Sequence, residues 1–273
     1  MSEKRSKTVI GMPTLDYDAI SPSQDEILSM FSDYLALGGE TGSVVPIDGA
    51  FGAVNLPESL PKVVVSVDFC EVLRQTGRTC AVVMGNSDVE YPYTAGTGLQ
   101  ELEVMALVRA LMKADRVVPA EDSEAILHIM QEIRTQGALI IGNTSTLAGC
   151  EEATLKFMSK QYPGAFDGIN FNTGGHNATN GDRTKAHAVF NVLRQIDPTF
   201  EAGSSGLAVF SIDDRPHHNR SFDTVFAGTA VYTYAPRCFG EIPAPDHGRS
   251  VVVDTPLAAF QAMQHAAQQY LLV

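Results

Sequence analysis

The sequence has few cysteines and no long apolar run, and each shortage excludes a class of protein. Its four cysteines are scattered and form no Cys-x-x-Cys pair, which argues against a disulfide scaffold: they are Cys70, Cys80, Cys150 and Cys238. No apolar stretch approaches the roughly 20 residues that cross a bilayer, and MSEKRSKTVIGMPTLDYD at the start lacks a long apolar signal core. These absences predict a protein of the reduced cytoplasm.

Basic residues are also scarce. Lys and Arg number 19 against 32 Asp and Glu, which gives a net charge of −13. Because a nonspecific binder of nucleic acid must neutralise phosphates, and an anionic membrane surface repels an acidic protein, we expect neither partner. What is present is a chain of 273 residues, 44% of them hydrophobic, which is enough to bury the core of one sizeable domain.

The charge distribution indicates the first domain boundary. Residues 8–61 contain no Lys or Arg but eight acidic residues, together with many Gly, Pro and Ser and one plausible helix over 23–37. We interpret residues 1–61 as an acidic extension that packs on the main domain, and residues 62–273 as that domain.

From Lys62 onward, strand and helix patterns alternate. The run KVVVSVDF (62–69) predicts a strand buried on both faces of a parallel sheet. The other predicted strands are 138–141, 168–171, 206–212 and 228–234, and the predicted helices are 99–112, one that starts at Asp122–Ser123 and stops at Gly137, 150–160, 185–196 and 256–270. This alternation predicts an α/β fold, a doubly wound Rossmann-like parallel sheet, with the ligand at the carboxyl ends of the strands.

Reactive side chains follow several of these strands. Asp68 follows the first, Asn143 and Thr144 follow the strand ALII, and the pair Asp213–Asp214 follows GLAVFSI. Lys185 begins the helix before that last strand. A carboxylate can attack phosphorus, an acidic pair can hold Mg²⁺, and a lysine and a hydroxyl can orient phosphate oxygens. The set predicts Mg²⁺-dependent phosphoryl transfer.

In this order the motifs resemble the haloacid dehalogenase-like hydrolase superfamily, from about Lys62 to the C-terminus. They are VSVDFCEVL, ALIIGNTST, GDRTKAH and VFSIDDRPHH. The last phrase, with VFAGTAVYTY after it, is similar to the nucleotidase and phosphoglycolate-phosphatase branches. The resemblance also implies that residues 86–120 form a small helical cap insertion over the substrate. A phosphate-accepting receiver domain is excluded by the motif order.

The resemblance implies a role for each matching residue. Asp68 would be the phosphoaspartate nucleophile and a Mg²⁺ ligand, and the main-chain carbonyl of Cys70 a second ligand. Asp213 and Asp214 would complete or support the metal site. Lys185 would hold the phosphate and the nucleophile. The implied substrate is a small phosphomonoester, and a nucleotide is one candidate. A homo-oligomer is a possible state of the protein that the sequence leaves open.

Two positions depart from the family pattern. The second acid of the first motif, which protonates the leaving group, is replaced here by Cys70. A thiol replaces a carboxyl poorly, and loss of positioned acid–base help costs about 10²–10⁴-fold in rate. Glu71 is adjacent, but on an extended strand end it would point to the other side. If the second motif aligns without a shift, Gly142 replaces its hydroxyl residue and Asn143 or Thr144 must bind phosphate.

Ordinary structural roles stay open for several residues. Asp68 could cap a loop, and Asp213–Asp214 could form a solvated turn. Lys185 could be a surface residue, with Lys156 and Lys160 as rivals for its role. Cys70 would need a neighbouring base to act as a catalytic thiol.

Two further features near these motifs have a less specific reading. His217 and His218 lack zinc-site spacing and favour substrate contact or surface placement. The Gly/Asn-rich loop 172–182 is either a phosphate nest or a mobile surface loop. Two functions therefore compete: a phosphohydrolase, and a catalytically degenerate member that binds a phosphorylated ligand or a protein partner.

Overall fold

The central strand of the protein is the apolar run after Lys62, and every side chain of that strand is buried. The computed structural model describes residues 45–47, 51–53, 56–76, 111–144, 150–171, 184–203, 206–237 and 250–272. Eight strands within these ranges form one sheet. They are β1 (Val45–Ile47), β2 (Phe51–Ala53), β3 (Val63–Val67), β4 (Leu139–Thr144), β5 (Gly168–Phe171), β6 (Ala208–Ile212), β7 (Ala230–Pro236) and β8 (Val251–Val253).

The strand order creates a switch point at the centre of the sheet. The order is β1-β2-β5-β4-β3-β6-β7-β8, and the six strands from β5 to β8 are parallel. The chain moves outward from β3 through β4 to β5, then returns to the other side of β3 for β6. In such sheets, ligands bind at the carboxyl ends of the strands where the order reverses. The functional site is therefore expected between the ends of β3 and β6.

Helices cover both faces of this sheet. They are α1 (Ser123–Thr135), α2 (Glu151–Gln161), α3 (Lys185–Ile196), α4 (Pro216–Val225) and α5 (Pro256–Leu271). Buried side chains of α1, α2 and α5 pack with Val63, Val65 and Val67 on one face. Those of α3 and α4 pack with Val64 and Val209 on the other. The predicted α/β class, a doubly wound Rossmann-like parallel sheet, is confirmed.

Most element boundaries agree with the sequence patterns within two residues. Helix α1 begins at Ser123 as predicted, but the Asp122 side chain makes no capping hydrogen bond. Strand β7 starts two residues later than predicted, because Gly228 has a φ of 86° and the chain is still in the turn after α4. None of the helices that the structure describes is both long and apolar enough to cross a membrane.

Four described elements were missed by the sequence patterns: α4, β8, and the N-terminal strands β1 and β2. Helix α4 has only a few apolar positions, but its Pro216 is a good first helical residue and Phe222 and Phe226 recur at helical spacing. Both phenylalanines are buried against α3. Strand β8 has three residues, too few for a strand pattern.

Part of the predicted N-terminal extension belongs to the sheet. Strands β1 and β2 pair antiparallel, and β2 pairs antiparallel with β5 at the edge of the parallel sheet. The helix predicted over 23–37 lies outside the described residues. So does most of the predicted cap insertion at 86–120, of which 111–120 is described and 111–113 is helical. The domain boundaries stay predictions.

Candidate functional site

The two acids of the site are held where β3 and β6 end. The backbone N–H of Asp68 donates to the Ile212 carbonyl at 2.9 Å, and that of Asp213 donates to the Tyr234 carbonyl at 3.1 Å. Each bond continues the strand ladder by one residue beyond the strand. The two residues are 6% and 1% exposed. Both carboxylates therefore lie at the switch point, in a largely dry setting.

Lys185 joins these two carboxylates. Its Nζ lies 2.7 Å from Asp68 Oδ1 and 2.6 Å from Asp213 Oδ2, and the side chain is 2% exposed. Burial disfavours the ammonium, but the two adjacent carboxylates outweigh burial and raise the pKa of Lys185 above its ordinary value. The rival lysines Lys156 and Lys160 lie exposed on α2 near Asp115. The structure thus brings Lys185, and neither rival, to the acids.

The position of Lys185 depends on the start of α3. Thr184 caps the helix by accepting a hydrogen bond from the His187 N–H. The Asn143 side chain on β4 donates to the Lys185 carbonyl at 2.8 Å and to Ser66 Oγ at 3.2 Å. Its Oδ1 accepts from Asn170 at 2.6 Å. The backbone of the first helical residue is therefore tied to β4 through Asn143.

Asn143 was predicted, as an alternative to Thr144, to bind phosphate, and that role stays a prediction. In the structure its side-chain amide is hydrogen-bonded to three protein partners. The register pairs Val67 with Gly142, so Asn143 is the next residue along β4 beside Asp68. Thr144 is also fully buried.

The phenyl ring of Phe69 fills the space beside Gly142, where a Cβ would lie 2.5 Å from Phe69 Cζ.

Asp213 is surrounded by hydrogen-bond donors. Besides Lys185, the Arg215 N–H donates to its Oδ1 at 2.9 Å, and His218 Nδ1 lies 3.2 and 3.0 Å from its two oxygens. Burial alone would raise the pKa of this carboxyl, but His218 and Lys185 outweigh burial and hold it well below its usual range. Asp213 is thus a charged anchor for Lys185.

Asp214 is the second acid of the pair, and its environment shifts the pKa in the opposite direction from that of Asp213. Burial, and then the charges of Asp68 and Asp213, raise the pKa of the Asp214 carboxyl well above its usual value. One oxygen from each of these three carboxylates lies within 4.8 Å of the others. Such a cluster of hard oxygen donors suits Mg²⁺, and a cation there would relieve the repulsion among the three charges.

The turn after Asp68 carries Cys70. The Leu73 and Arg74 N–H groups both donate to the Phe69 carbonyl at 3.0 Å, and the Glu71 N–H donates to the Arg74 carbonyl at 2.7 Å. Among the described residues, no backbone hydrogen bond uses the Cys70 carbonyl. The role of that carbonyl as a metal ligand stays a prediction. The thiol lies 3.3 Å from Arg74 Nη2, and burial raises its pKa despite this neighbour.

The expectation that Glu71 lies on an extended strand end is wrong. Strand β3 ends at Val67, and Glu71 has a φ of 62°, in the left-handed region. Non-glycine residues adopt this conformation rarely, and often at functional sites. Glu71 is 5% exposed.

His218 is the site residue whose role the sequence reasoning missed. It was expected at the surface or against a substrate, but it lies against Asp213. Helix α4 places it there, and the Asn219 side chain on the same helix donates to the Asp213 carbonyl at 3.1 Å. Asp213 and His218 are five residues apart in the sequence, and they meet because α4 begins between them. The loop 172–182 lies outside the described residues.

Comparison with protein-family models gives no match, and neither does comparison with curated proteins. Several solved structures are similar at low identity. A protein of Burkholderia xenovorans LB400, described as a haloacid dehalogenase-like hydrolase, is 11% identical, with 74% of this chain and 99% of that chain covered and a TM-score of 0.43. A protein of Bacteroides vulgatus, described as a beta-phosphoglucomutase, is 12% identical over 91% of this chain and 99% of that chain (TM-score 0.44).

A third similar structure comes from Geobacter sulfurreducens PCA and is described as a HAD-superfamily hydrolase, subfamily IA, variant 1. It is 13% identical, and the match covers 74% of this chain and all of the other (100%), with a TM-score of 0.40. All three likenesses are too distant to support a functional conclusion.

Proposed function

We propose that this chain is a hydrolase of the haloacid dehalogenase-like superfamily that hydrolyses a small phosphomonoester with Mg²⁺, through an aspartyl-phosphate intermediate. The observation that carries the proposal is the position of Lys185 Nζ, 2.7 and 2.6 Å from two buried carboxylates at the switch point. A third carboxylate, Asp214, lies beside them. Nucleotides are one class of candidate substrate.

Asp68 is the proposed nucleophile. Its Oδ1 accepts from Lys185, while Oδ2 takes no hydrogen bond from the residues that the structure describes. In the first step a carboxylate oxygen of Asp68 bonds to phosphorus as the ester P–O bond breaks, and the leaving alkoxide or phenoxide takes a proton from solvent or from a nearby acid. In the second step water attacks phosphorus, inorganic phosphate leaves, and Asp68 is restored.

The residues at this site fit a Mg²⁺ ion. Asp68, Asp214 and the Cys70 carbonyl are the proposed ligands, because the oxygens of Asp213 already accept from Lys185, His218 and the Arg215 N–H. When bound, the ion would neutralise charge on the transferring phosphoryl group. Asp213 supports this site by holding Lys185.

Lys185 is the proposed phosphate contact. Its ammonium lies at the nucleophile, so it can pair with a phosphoryl oxygen and orient the group for attack. Asn143 contributes through its hydrogen bond to the Lys185 carbonyl. Thr144 stays a candidate phosphate ligand through its position at the end of β4.

The test is hydrolysis of p-nitrophenyl phosphate and of a panel of nucleoside monophosphates with Mg²⁺. Asp68→Asn should lower kcat by about 10³-fold or more, because an amide oxygen is a poor nucleophile. Asp254→Asn is the matched control: it makes the same change in a carboxylate that follows β8, with a side chain 89% exposed. Turnover that survives in Asp68→Asn would refute the assignment of the nucleophile.

The second candidate function is binding of a phosphorylated ligand or a protein partner without turnover. The observation that favours it is Cys70, whose thiol replaces the expected acid and lies against Arg74. In that case calorimetry would detect binding of inorganic phosphate or AMP to the native protein, and Lys185→Met would abolish it. Measurable hydrolysis by the native protein would decide for the enzyme.

A further inference from the structure

We propose that Arg74 is a positioning residue that holds the side chain at position 70 toward α2, away from Asp68 and Lys185. The consequence is that a carboxylate introduced at position 70 would bind Arg74 rather than assist the reaction. The catalytic part of this inference rests on the proposed function. The structural part concerns the pair of positions 70 and 74 and does not depend on it.

The guanidinium of Arg74 is buried beneath the turn that carries Cys70. Arg74 is 1% exposed, among the most completely buried large side chains of the described residues. Its Nη1 donates to Thr154 Oγ1 at 3.0 Å and its Nη2 approaches Cys70 Sγ at 3.3 Å. Two nitrogens of one planar fork therefore join position 70 to α2.

The backbone of Arg74 closes the same turn. Its N–H donates to the Phe69 carbonyl, and its own carbonyl accepts from Glu71 and Thr76. Arg74 also forms an isolated β-bridge with Pro119. Because both the backbone and the guanidinium are fixed, the fork has a defined direction.

That direction is toward the α2 face of the sheet. Thr154 lies on α2, which packs on one face of the sheet, while Lys185 comes from α3 on the opposite face. A side chain held against Arg74 is therefore on the α2 side of the turn. The Asp68 carboxylate, in contrast, faces Lys185.

The chemistry at position 70 follows from this placement. A thiol is a weak hydrogen-bond acceptor, so Arg74 binds it loosely. A carboxylate would form a charge-assisted and often bidentate pair with a guanidinium, shorter and about twice as strong as a neutral hydrogen bond. We therefore expect Cys70→Asp by itself to restore little activity while Arg74 is present.

The experiment is a double-mutant cycle of Cys70→Asp and Arg74→Gln, with Cys70→Ser in place of Cys70→Asp as the matched neutral control. Three quantities are measured for each protein: the thermal midpoint, kcat, and KM for p-nitrophenyl phosphate with Mg²⁺. We expect Arg74→Gln to lower the midpoint by about 5 °C more in the Cys70→Asp background than in the Cys70→Ser background. We also expect the gain in kcat from Cys70→Asp to be about tenfold larger when Arg74 is replaced.

A crystal structure of the Cys70→Asp protein supplies a test that needs no change at Arg74. The new carboxylate should lie within hydrogen-bond distance of the Arg74 guanidinium. A carboxylate turned instead toward Asp68 and Lys185, or equal effects of Arg74→Gln on the midpoint in both backgrounds, would overturn the inference. If no protein of the cycle hydrolyses the substrate, the proposed function fails, whereas the midpoints and the crystal structure still decide the role of Arg74.

Discussion

Replacing Lys185 by Met removes the cation between two buried carboxylates and should destabilise the protein strongly. Removing one partner of a buried ion pair costs about 3–5 kcal/mol, because the remaining charge is left uncompensated. Asp213 keeps His218 and the Arg215 N–H as partners, whereas Asp68 loses the donor that lies 2.7 Å from its Oδ1. We therefore expect the free energy of unfolding to fall by about 3 kcal/mol at pH 7, near the lower end of that range.

The assay is thermal unfolding of the two proteins across a range of pH. For a domain of this size, a loss of about 3 kcal/mol lowers the midpoint by about 6–12 °C. Lys160→Met is the matched control, because the Lys160 side chain is 58% exposed and its Nζ lies 3.4 Å from Asp115 Oδ2 in a surface pair. Such pairs contribute about 0–1 kcal/mol, so the control should change little.

The difference between native protein and Lys185→Met should depend on pH with a definite sign. The folded pKa of Asp213 is lowered, so its stabilisation is present above the unfolded value and is lost as pH falls through the folded value. The folded pKa of Lys185 is raised, so its stabilisation is present below the unfolded value and is lost as pH rises through the folded value.

The difference should therefore be constant between about pH 5 and pH 9 and should shrink below about pH 4, where carboxylates of the variant become protonated. A midpoint of Lys185→Met within about 2 °C of the native protein at pH 7 would refute this reasoning. So would a difference that grows as the pH is lowered.

Three further predictions concern the metal, the leaving group and the core. In thermal-shift measurements, Mg²⁺ at about 100 times its Kd should stabilise the native protein by about 2.7 kcal/mol, whereas the Asp214→Asn protein should show little shift with Mg²⁺. EDTA should abolish hydrolysis. Equal Mg²⁺-induced shifts in the native and Asp214→Asn proteins would contradict the proposed ligand set. Because Cys70 replaces an acid, kcat/KM should be about 10²-fold higher for p-nitrophenyl phosphate than for an alkyl phosphate, and a flat dependence on leaving-group pKa across a series of aryl phosphates would contradict this. Gly142→Ala should lower the free energy of unfolding, measured in urea, by about 1–3 kcal/mol. The new methyl group would meet the ring of Phe69, which is buried against Phe166 with ring centroids 5.3 Å apart and cannot withdraw. An unchanged urea midpoint would contradict this overpacking.

Much of the fold was predictable because its elements have strong local patterns. The strand Val63–Val67 is a continuous β-branched run apart from Ser66, which is typical of a strand buried on both faces. Helix Ser123–Thr135 has its four buried residues on one stripe. Helix Pro216–Val225 was missed because its buried contacts come mainly from Phe222, against a partner helix that the local pattern does not contain.

Only the part of the site that follows from the sheet topology was predictable from the sequence. Strand ends at one edge of a parallel sheet must lie close together, so the meeting of Asp68 with Asp213 followed from the alternation of strands and helices. The pairing of His218 with Asp213 did not, because it depends on how α4 leaves the sheet. Nor did the inward anchoring of Asn143, which depends on the register of β4 against β5.

The sequence by itself determined the order of the strands and helices from β3 to β7 apart from α4, the excess of acid over base, and which chemical groups stand at the strand ends. Those properties are local, since each is set by side-chain periodicity or by composition. Tertiary structure alone decided that Lys185 bridges two acids, that Asp213 is held by His218, and that Cys70 lies against Arg74. Each of these contacts joins groups on separate elements, and its distance and direction are set by the packing of those elements.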